Sequence, residues 1–369
     1  MSVQFIGMVV AQETSESIAP KGPALDKKYL RALVKAHDAS GFDRILIAHS
    51  SASVDGLQIA ADIIHQSDRI AVLLANRPGF ISPTYAARAF ATLDQFSDGR
   101  LAIHIISGGD DQEQQRDGDY LDHDQRYARS EEYIQILKEI WTNDQPIDHE
   151  GTYYKFKGAF SSIKPTQKPH IPIYFGGASD VAIKVAGRFA DVYALWGESL
   201  AQVRETIARV RAAAAPFGRA NQIKFSLSLR PVLGATEAKA WEKADEILTK
   251  AKAAVAQNSF YQRSNPPVNV GSLRLLETAA TGRVVDKRLW TEIAALTGAK
   301  GNSTSLVGTP EQVAESLLEY YDLGITTFLI RGFNPLEDTI EYGRELIPLV
   351  RKAVAEREAA APRVEAKAG

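Results

Sequence analysis

Hydrophobic positions along the chain follow two alternating periods. Short, nearly unbroken apolar runs at 3–10, 44–48, 70–74, 101–106, 171–175, 192–195, 225–233 and 327–330 read as strands buried on both faces, the pattern of a parallel sheet. Between them lie longer stretches with helical spacing, such as 25–39, 129–142, 200–215, 237–257 and 310–323. About eight strands alternating with helices predict a (β/α)₈ TIM barrel. The clearest unit is 77–109. Ser82-Pro83 predicts a helix start, with Ser82 as cap and Pro83 in the first turn, and Ser97-Asp98-Gly99 predicts the stop. The strand that follows, Leu101 to Ile106, is apolar except for His104. Thr309-Pro310-Glu311-Gln312 carries the signature of a capping box.

Two stretches exceed ordinary barrel connections, so insertions are expected after strand 4 and between strands 7 and 8. The first, 108–169, contains a polar loop, the 129–142 helix and a segment at 151–157 that alternates like a strand. The second, 259–305, ends in a run rich in glycine, serine and threonine, and is a candidate mobile lid. Residues 1–358 are read as one catalytic domain. The alanine-rich tail, 359–369, is expected to be frayed or used in subunit contacts.

A chain of 369 residues, 45% hydrophobic and 24% charged, can bury one large core. Its net charge of −2 and the lack of any lysine or arginine run leave no electrostatic footprint for nucleic acid or an anionic membrane. With no bilayer-length apolar stretch and no basic, apolar leader, the expected location is cytoplasmic. There are no cysteines, and Met1 and Met8 are the only methionines. Two explanations stand: chance in a compartment that does not reward disulfides, or selection that spares sulfur in a protein made under sulfur starvation.

In a barrel of this kind, chemistry sits where the strands end. Phe175-Gly176-Gly177-Ala178-Ser179 follows a strand and opens a helix, leaving backbone N–H groups aimed at one point, which suits a phosphate. A plain strand-to-helix turn that needs glycine is the other reading. His104 and Ser107 end the fourth strand. The seven histidines lack metal-ligand spacing, and no Gly-x-Ser-x-Gly elbow is present, which argues against metal and acyl-enzyme chemistry.

The 77–109 unit, Gly118 to Tyr133, Ile171 to Asp180 and Asp191 to Glu198 together resemble, in order, motifs of the bacterial luciferase-like flavin monooxygenases. Within them the nearest resemblance is to the two-component FMNH2-dependent alkanesulfonate monooxygenases. A sulfoquinovose monooxygenase is one form this could take. The resemblance implies that Gly177, Ala178 and Ser179 hold the FMN phosphate with His123 and Tyr127 nearby, and that His104 and Ser107 meet the flavin ring. Many relatives have asparagine where this chain has His104.

Departures fall at the anion site. Where alkanesulfonate monooxygenases carry an Arg-x-His pair on the seventh strand, this chain has Ser228-Leu229-Arg230. Phe333 replaces a tyrosine, Ser53 in the polar run from His49 replaces a cysteine, and Lys300 lies beside the expected place of a mobile-loop arginine. A buried sulfonate needs charged donors, so Arg230 is expected to supply a bidentate contact, with Arg77, Arg331 and Lys300 as further candidates. Trp196, ending strand six, is expected to wall the pocket or else to be ordinary core.

By resemblance the activity is oxidative desulfonation: FMNH2 from a separate NAD(P)H-dependent flavin reductase, together with O₂, oxygenates an organosulfonate to give sulfite and an aldehyde. A homodimer or homotetramer is expected. A deazaflavin-dependent dehydrogenase on the same barrel and a non-catalytic flavin-binding protein are the rivals. An aldo-keto reductase is disfavoured, because no Asp/Tyr/Lys/His set stands at successive strand ends.

Overall fold

The structure, a computed structural model, describes residues 3–257, 267, 269–301 and 303–360. Eight parallel strands close a barrel: β1 (Gln4–Val9), β2 (Arg44–Ile47), β3 (Ala71–Asn76), β4 (Leu101–Ile105), β5 (Ile173–Gly176), β6 (Val192–Trp196), β7 (Lys224–Leu233) and β8 (Ile325–Ile330). Each pairs with the next, β6 pairs with β7, β7 with β8, and β8 returns to β1. All eight are the strands read from the apolar runs.

Strand parity sorts the side chains. On β4, Leu101, Ile103 and Ile105 join the large core between barrel and helices, while Ala102 packs inside the barrel with Ile6, Leu73, Tyr174 and Val192. A period of two therefore sends His104 inward with Ala102. The same rule on β7 sends Phe225, Leu227 and Leu229 outward and puts Ser226, Ser228 and Arg230 on the inner side.

Helix starts follow the capping rules. Asp122, Ser199 and Thr309 each accept from the N–H three residues on, and Gln125, Gln202 and Gln312 return the bond to the cap backbone. Ser82 departs from its expected role. It precedes the helix Pro83–Phe96, but its hydroxyl makes no cap bond and instead pairs with the Thr84 hydroxyl at 2.9 Å.

The segment 151–157 is not one strand. It is the turn and second arm of a hairpin, Ile147–Glu150 with Lys155–Ala159, because Glu132 captures the Tyr153 and Tyr154 N–H groups at 3.0 and 2.9 Å and fixes the bend. Within 259–305, residues 259–266, 268 and 302 lie outside the described residues, as does most of the tail, 361–369. The described part holds a helix, Val270–Thr281, a short hairpin, and the helix Glu292–Leu296, which meet around Leu275, Ala294 and Ala299. The strand Ser305–Gly308, absent from the sequence reading, pairs in parallel with the upper half of β7 in the register Ser305↔Arg230. The sheet thus continues past the barrel rim at β7. Among the described residues no helix is long and apolar enough to cross a membrane.

Candidate active site

A cavity of about 460 Å³ opens at the C-terminal ends of the strands, inside the size range of small-ligand sites. Its floor is apolar, with Met8, Leu46, Leu73 and Leu329, and polar groups converge on it from two opposite kinds of structure.

One is made of backbone. Beyond β5 the chain turns through Gly177, at φ +122°, into the helix Asp180–Phe189, whose N-cap is Ser179. Only glycine suits this turn: a Cβ at Gly177 would lie 2.4 Å from the Tyr127 hydroxyl and 2.8 Å from the Ala182 methyl. Tyr193 donates to the Gly177 carbonyl, pinning the loop. Gly177, Ala178, Ser179, Tyr127 and His123 all line the cavity. Burial pushes the Tyr127 hydroxyl up to about 12, against a lowering bond with Ser179, so it remains a neutral donor. The backbone of a glycine turn leading into a helix N-terminus, beside a neutral phenol, forms a cradle that fits a phosphate.

At the centre is His104. Burial pushes its imidazole down to about 4, so it is neutral at physiological pH, and its ring lies 6.5 Å from that of Tyr174. Ser107 lines the cavity and shares a hydrogen bond with Ser130 at 2.8 Å.

The other kind is made of charged side chains. Arg331, just past β8, lines the cavity and lies 3.2 Å from Glu16, a residue of the loop after β1. Glu16 is 3% exposed and also pairs closely with Arg230. Burial alone would raise the Glu16 carboxyl, but Arg230 and Arg331 outweigh it and hold the group at about 2.

Arg230, expected to meet substrate directly, stands behind this wall. It is fully buried, donates to the Gly332 carbonyl at 2.7 Å, and has its guanidinium 3.6 Å from the Phe333 ring centre. Its position at the end of the seventh strand was legible. What covers it was not: the Ser305 strand, Phe333 and Glu16 all arrive from distant sequence.

Other expected residues divide similarly. Arg77 lines the cavity but is clamped by Glu113 at 2.8 and 3.0 Å. Trp196 lines it too, and touches the cover, since a Cβ at Gly271 would meet its ring at 3.2 Å. His49, Ser53, Lys300 and Phe333 lie outside the lining. The His49 ring packs on Phe80, and Ser53 is exposed, closing a turn with Ser50. Lys300 is half-buried next to Gly301, which does line the cavity. Phe333 packs against Trp290 and Arg230.

Sequence reading missed three contributors. Glu16 has no motif around it. Asn269 caps the helix Val270–Thr281 and lines the cavity beside Gly109. Glu198, also in the lining, forms a bidentate pair with Arg274 of that helix at 2.8 and 2.9 Å, tying the cover to the end of β6. Glu198 did close a motif that was read, and its place at the end of that motif was the signal available. No cluster of metal-ligating side chains occurs among the described residues.

Residues 4–327 match the model of the luciferase-like monooxygenases. Among solved structures, the chain superposes on EDTA monooxygenase from Chelativorans sp. BNC1 with a TM-score of 0.75 at 19% identity, covering 98% of this chain and 96% of that one. DmoA from Hyphomicrobium sulfonivorans gives 0.76 at 21% identity, over 96% and 88% of the two chains. An F420-dependent secondary alcohol dehydrogenase in complex with an F420-acetone adduct gives 0.68 at 16% identity, over 95% and 99%. At such identities the shared property is the fold.

Proposed function

The chain belongs to the luciferase-like monooxygenase family, and from that premise we propose that it is an FMNH2- and O₂-dependent monooxygenase that cleaves the C–S bond of an organosulfonate. One observation carries the reading. A single cavity is lined both by the Gly177–Ser179 turn, whose form suits a phosphate, and, at the strand ends, by the guanidinium-bearing Arg331. An alkanesulfonate or a sulfonated sugar such as sulfoquinovose suits that cation.

Reduced FMN, when bound, would supply the electrons that activate O₂, so that one oxygen atom ends in the aldehyde, the other in water, and sulfite departs. The protein's part is placement. Gly177, Ala178 and Ser179 would hold the phosphate, with Tyr127 and His123 beside it. Neutral His104 and Ser107 would face the ring, His104 adding a hydrogen-bonding group without a charge. Arg331 would hold the sulfonate through charge-assisted bonds. The helix Val270–Thr281, clamped by Arg274 to Glu198, would exclude water. Reduced flavin would come from a separate NAD(P)H-dependent reductase.

The test is sulfite release in an aerobic assay with FMN, NADH and a flavin reductase, offering short and long alkanesulfonates, taurine and sulfoquinovose. Sulfite from one class supports the reading. Hydrogen peroxide without sulfite from any of them would sink it. The dehydrogenase neighbour favours a second reading, hydride transfer with a deazaflavin on the same barrel. That reaction would consume no oxygen, and reduced deazaflavin rather than FMNH2 would quench protein fluorescence.

A further inference from the structure

Two guanidiniums share one carboxylate at the top of the barrel, and they are not equivalent. Arg230 is committed: it is fully buried, ion-paired to Glu16, bonded to the Gly332 carbonyl and covered by Phe333. It cannot turn toward the cavity without abandoning all three. Arg331, with its side chain 24% exposed, lines the cavity and meets the other Glu16 oxygen at 3.2 Å. Glu16 therefore does two things. It neutralises the cation behind the wall, and it steadies the cation that faces the ligand. Its loop is itself fastened, since Ser15 and Ile18 bond to each other through both backbone pairs.

We propose that Glu16 is a specificity-determining residue, setting the Arg331 end of the cavity to accept a substrate group of one negative charge, a sulfonate in preference to a phosphonate or phosphate ester. The proposal rests on the sulfonate reading above. Together the three side chains carry one positive charge, which a monoanion cancels. A doubly charged headgroup would leave excess negative charge at the Arg331 end, and the like-charged Glu16, held 3.2 Å from Arg331, would oppose it. Glu16 cannot escape by taking a proton near neutral pH, because the two arginines hold its carboxyl at about 2. Removing the Glu16 charge alone would raise the sum to two and favour a dianion.

The experiment is calorimetry on the full chain, saturated with reduced FMN under nitrogen, titrated with pentanesulfonate, with pentanephosphonate at a pH where it is doubly ionised, and with neutral methyl pentyl sulfone. Wild type is expected to bind the sulfonate roughly tenfold or more tightly than either alternative. Glu16→Gln, which preserves shape and an acceptor oxygen, should move the sulfonate-to-phosphonate ratio roughly tenfold toward the phosphonate. A wild-type sulfonate preference with an unchanged ratio in Glu16→Gln overturns the role of Glu16 and leaves the sulfonate reading standing. No wild-type preference for the sulfonate over the neutral sulfone overturns both. Should Glu16→Gln fail to fold, Arg331→Gln keeps the Arg230–Glu16 pair and brings the sum to zero. It should then bind sulfonate and sulfone within about threefold of each other, and a retained sulfonate preference would overturn the proposal.

Discussion

The two polar regions of the cavity are each suited to an anion, and they are built from opposite materials. The Gly177–Ser179 turn is made of backbone and hydroxyls, with no positively charged side chain among its three residues. The Arg331 region is made of two arginines and a carboxylate drawn from β7, the end of β8 and the loop after β1. A backbone cradle fixes geometry and tolerates the charge state of its ligand. A set of charged side chains fixes the charge and leaves the ligand's shape to the surrounding apolar wall. That division suits a cofactor of constant shape beside a substrate selected by its headgroup.

Substitutions at each region should separate these roles. The largest effect is expected from Gly177→Val, which combines a forbidden backbone conformation with contact against Tyr127 and Ala182. Reduced-FMN affinity, followed by anaerobic fluorescence titration, should fall ~100-fold or more, on the order of 3 kcal/mol. Wild-type affinity would show that the turn holds no phosphate. Next comes Arg331→Met. Loss of a charge-assisted contact, roughly 1.5–3 kcal/mol, should raise KM for the sulfonate about 10- to 100-fold while FMN affinity stays constant. A parallel loss of flavin affinity would erase the distinction between the two regions.

His104 lies between them and should show itself through pH. Its folded pKa, about 4, is below the ordinary 6.5. The unfolded chain therefore binds the extra proton first, and this contribution to stability is complete above 6.5 and is lost as pH falls toward 4. His37, buried and likewise held at about 4, acts in the same window. Denaturant melts should thus find His104→Asn less sensitive to acid than wild type, by about 1–2 kcal/mol near pH ~5. An identical pH dependence would mean the imidazole is not buried neutral. The smallest effect is expected from Tyr127→Phe, which removes one neutral hydroxyl. Affinity for FMN should drop by about 0.5–1.5 kcal/mol while affinity for riboflavin, which lacks the phosphate, stays level. Equal losses for both flavins would remove Tyr127 from the phosphate cradle.

The same contrast explains what could be read from the sequence. The Gly177 turn is local: strand, glycines, cap and helix run without interruption from Ile173 to Phe189, and short-range rules suffice. The eight barrel strands and the inward position of His104 follow from periodicity alone. The Arg331 region is not local, because Arg230 and Glu16 are 214 residues apart and Arg331 is 315 from Glu16. No spacing rule links them. The strand-end position of Arg230 was legible, but its burial depends on β7 continuing past the rim to pair with Ser305–Gly308, a strand whose few apolar residues were lost at the end of a glycine- and serine-rich run. Ser53 failed to reach the cavity for a simpler reason: the short Ser50-Ser51-Ala52-Ser53 run closes a turn on itself, Ser53 bonding back to Ser50.

The most direct test is an experimental structure of the chain with FMN and the sulfonate that supports sulfite release, prepared without oxygen. The account predicts the flavin phosphate against the backbone N–H groups of Gly177, Ala178 and Ser179, and the sulfonate on the Arg331 guanidinium with Glu16 still bridging to Arg230. A phosphate bound by Arg331, or a sulfonate lying away from that arginine, would contradict it.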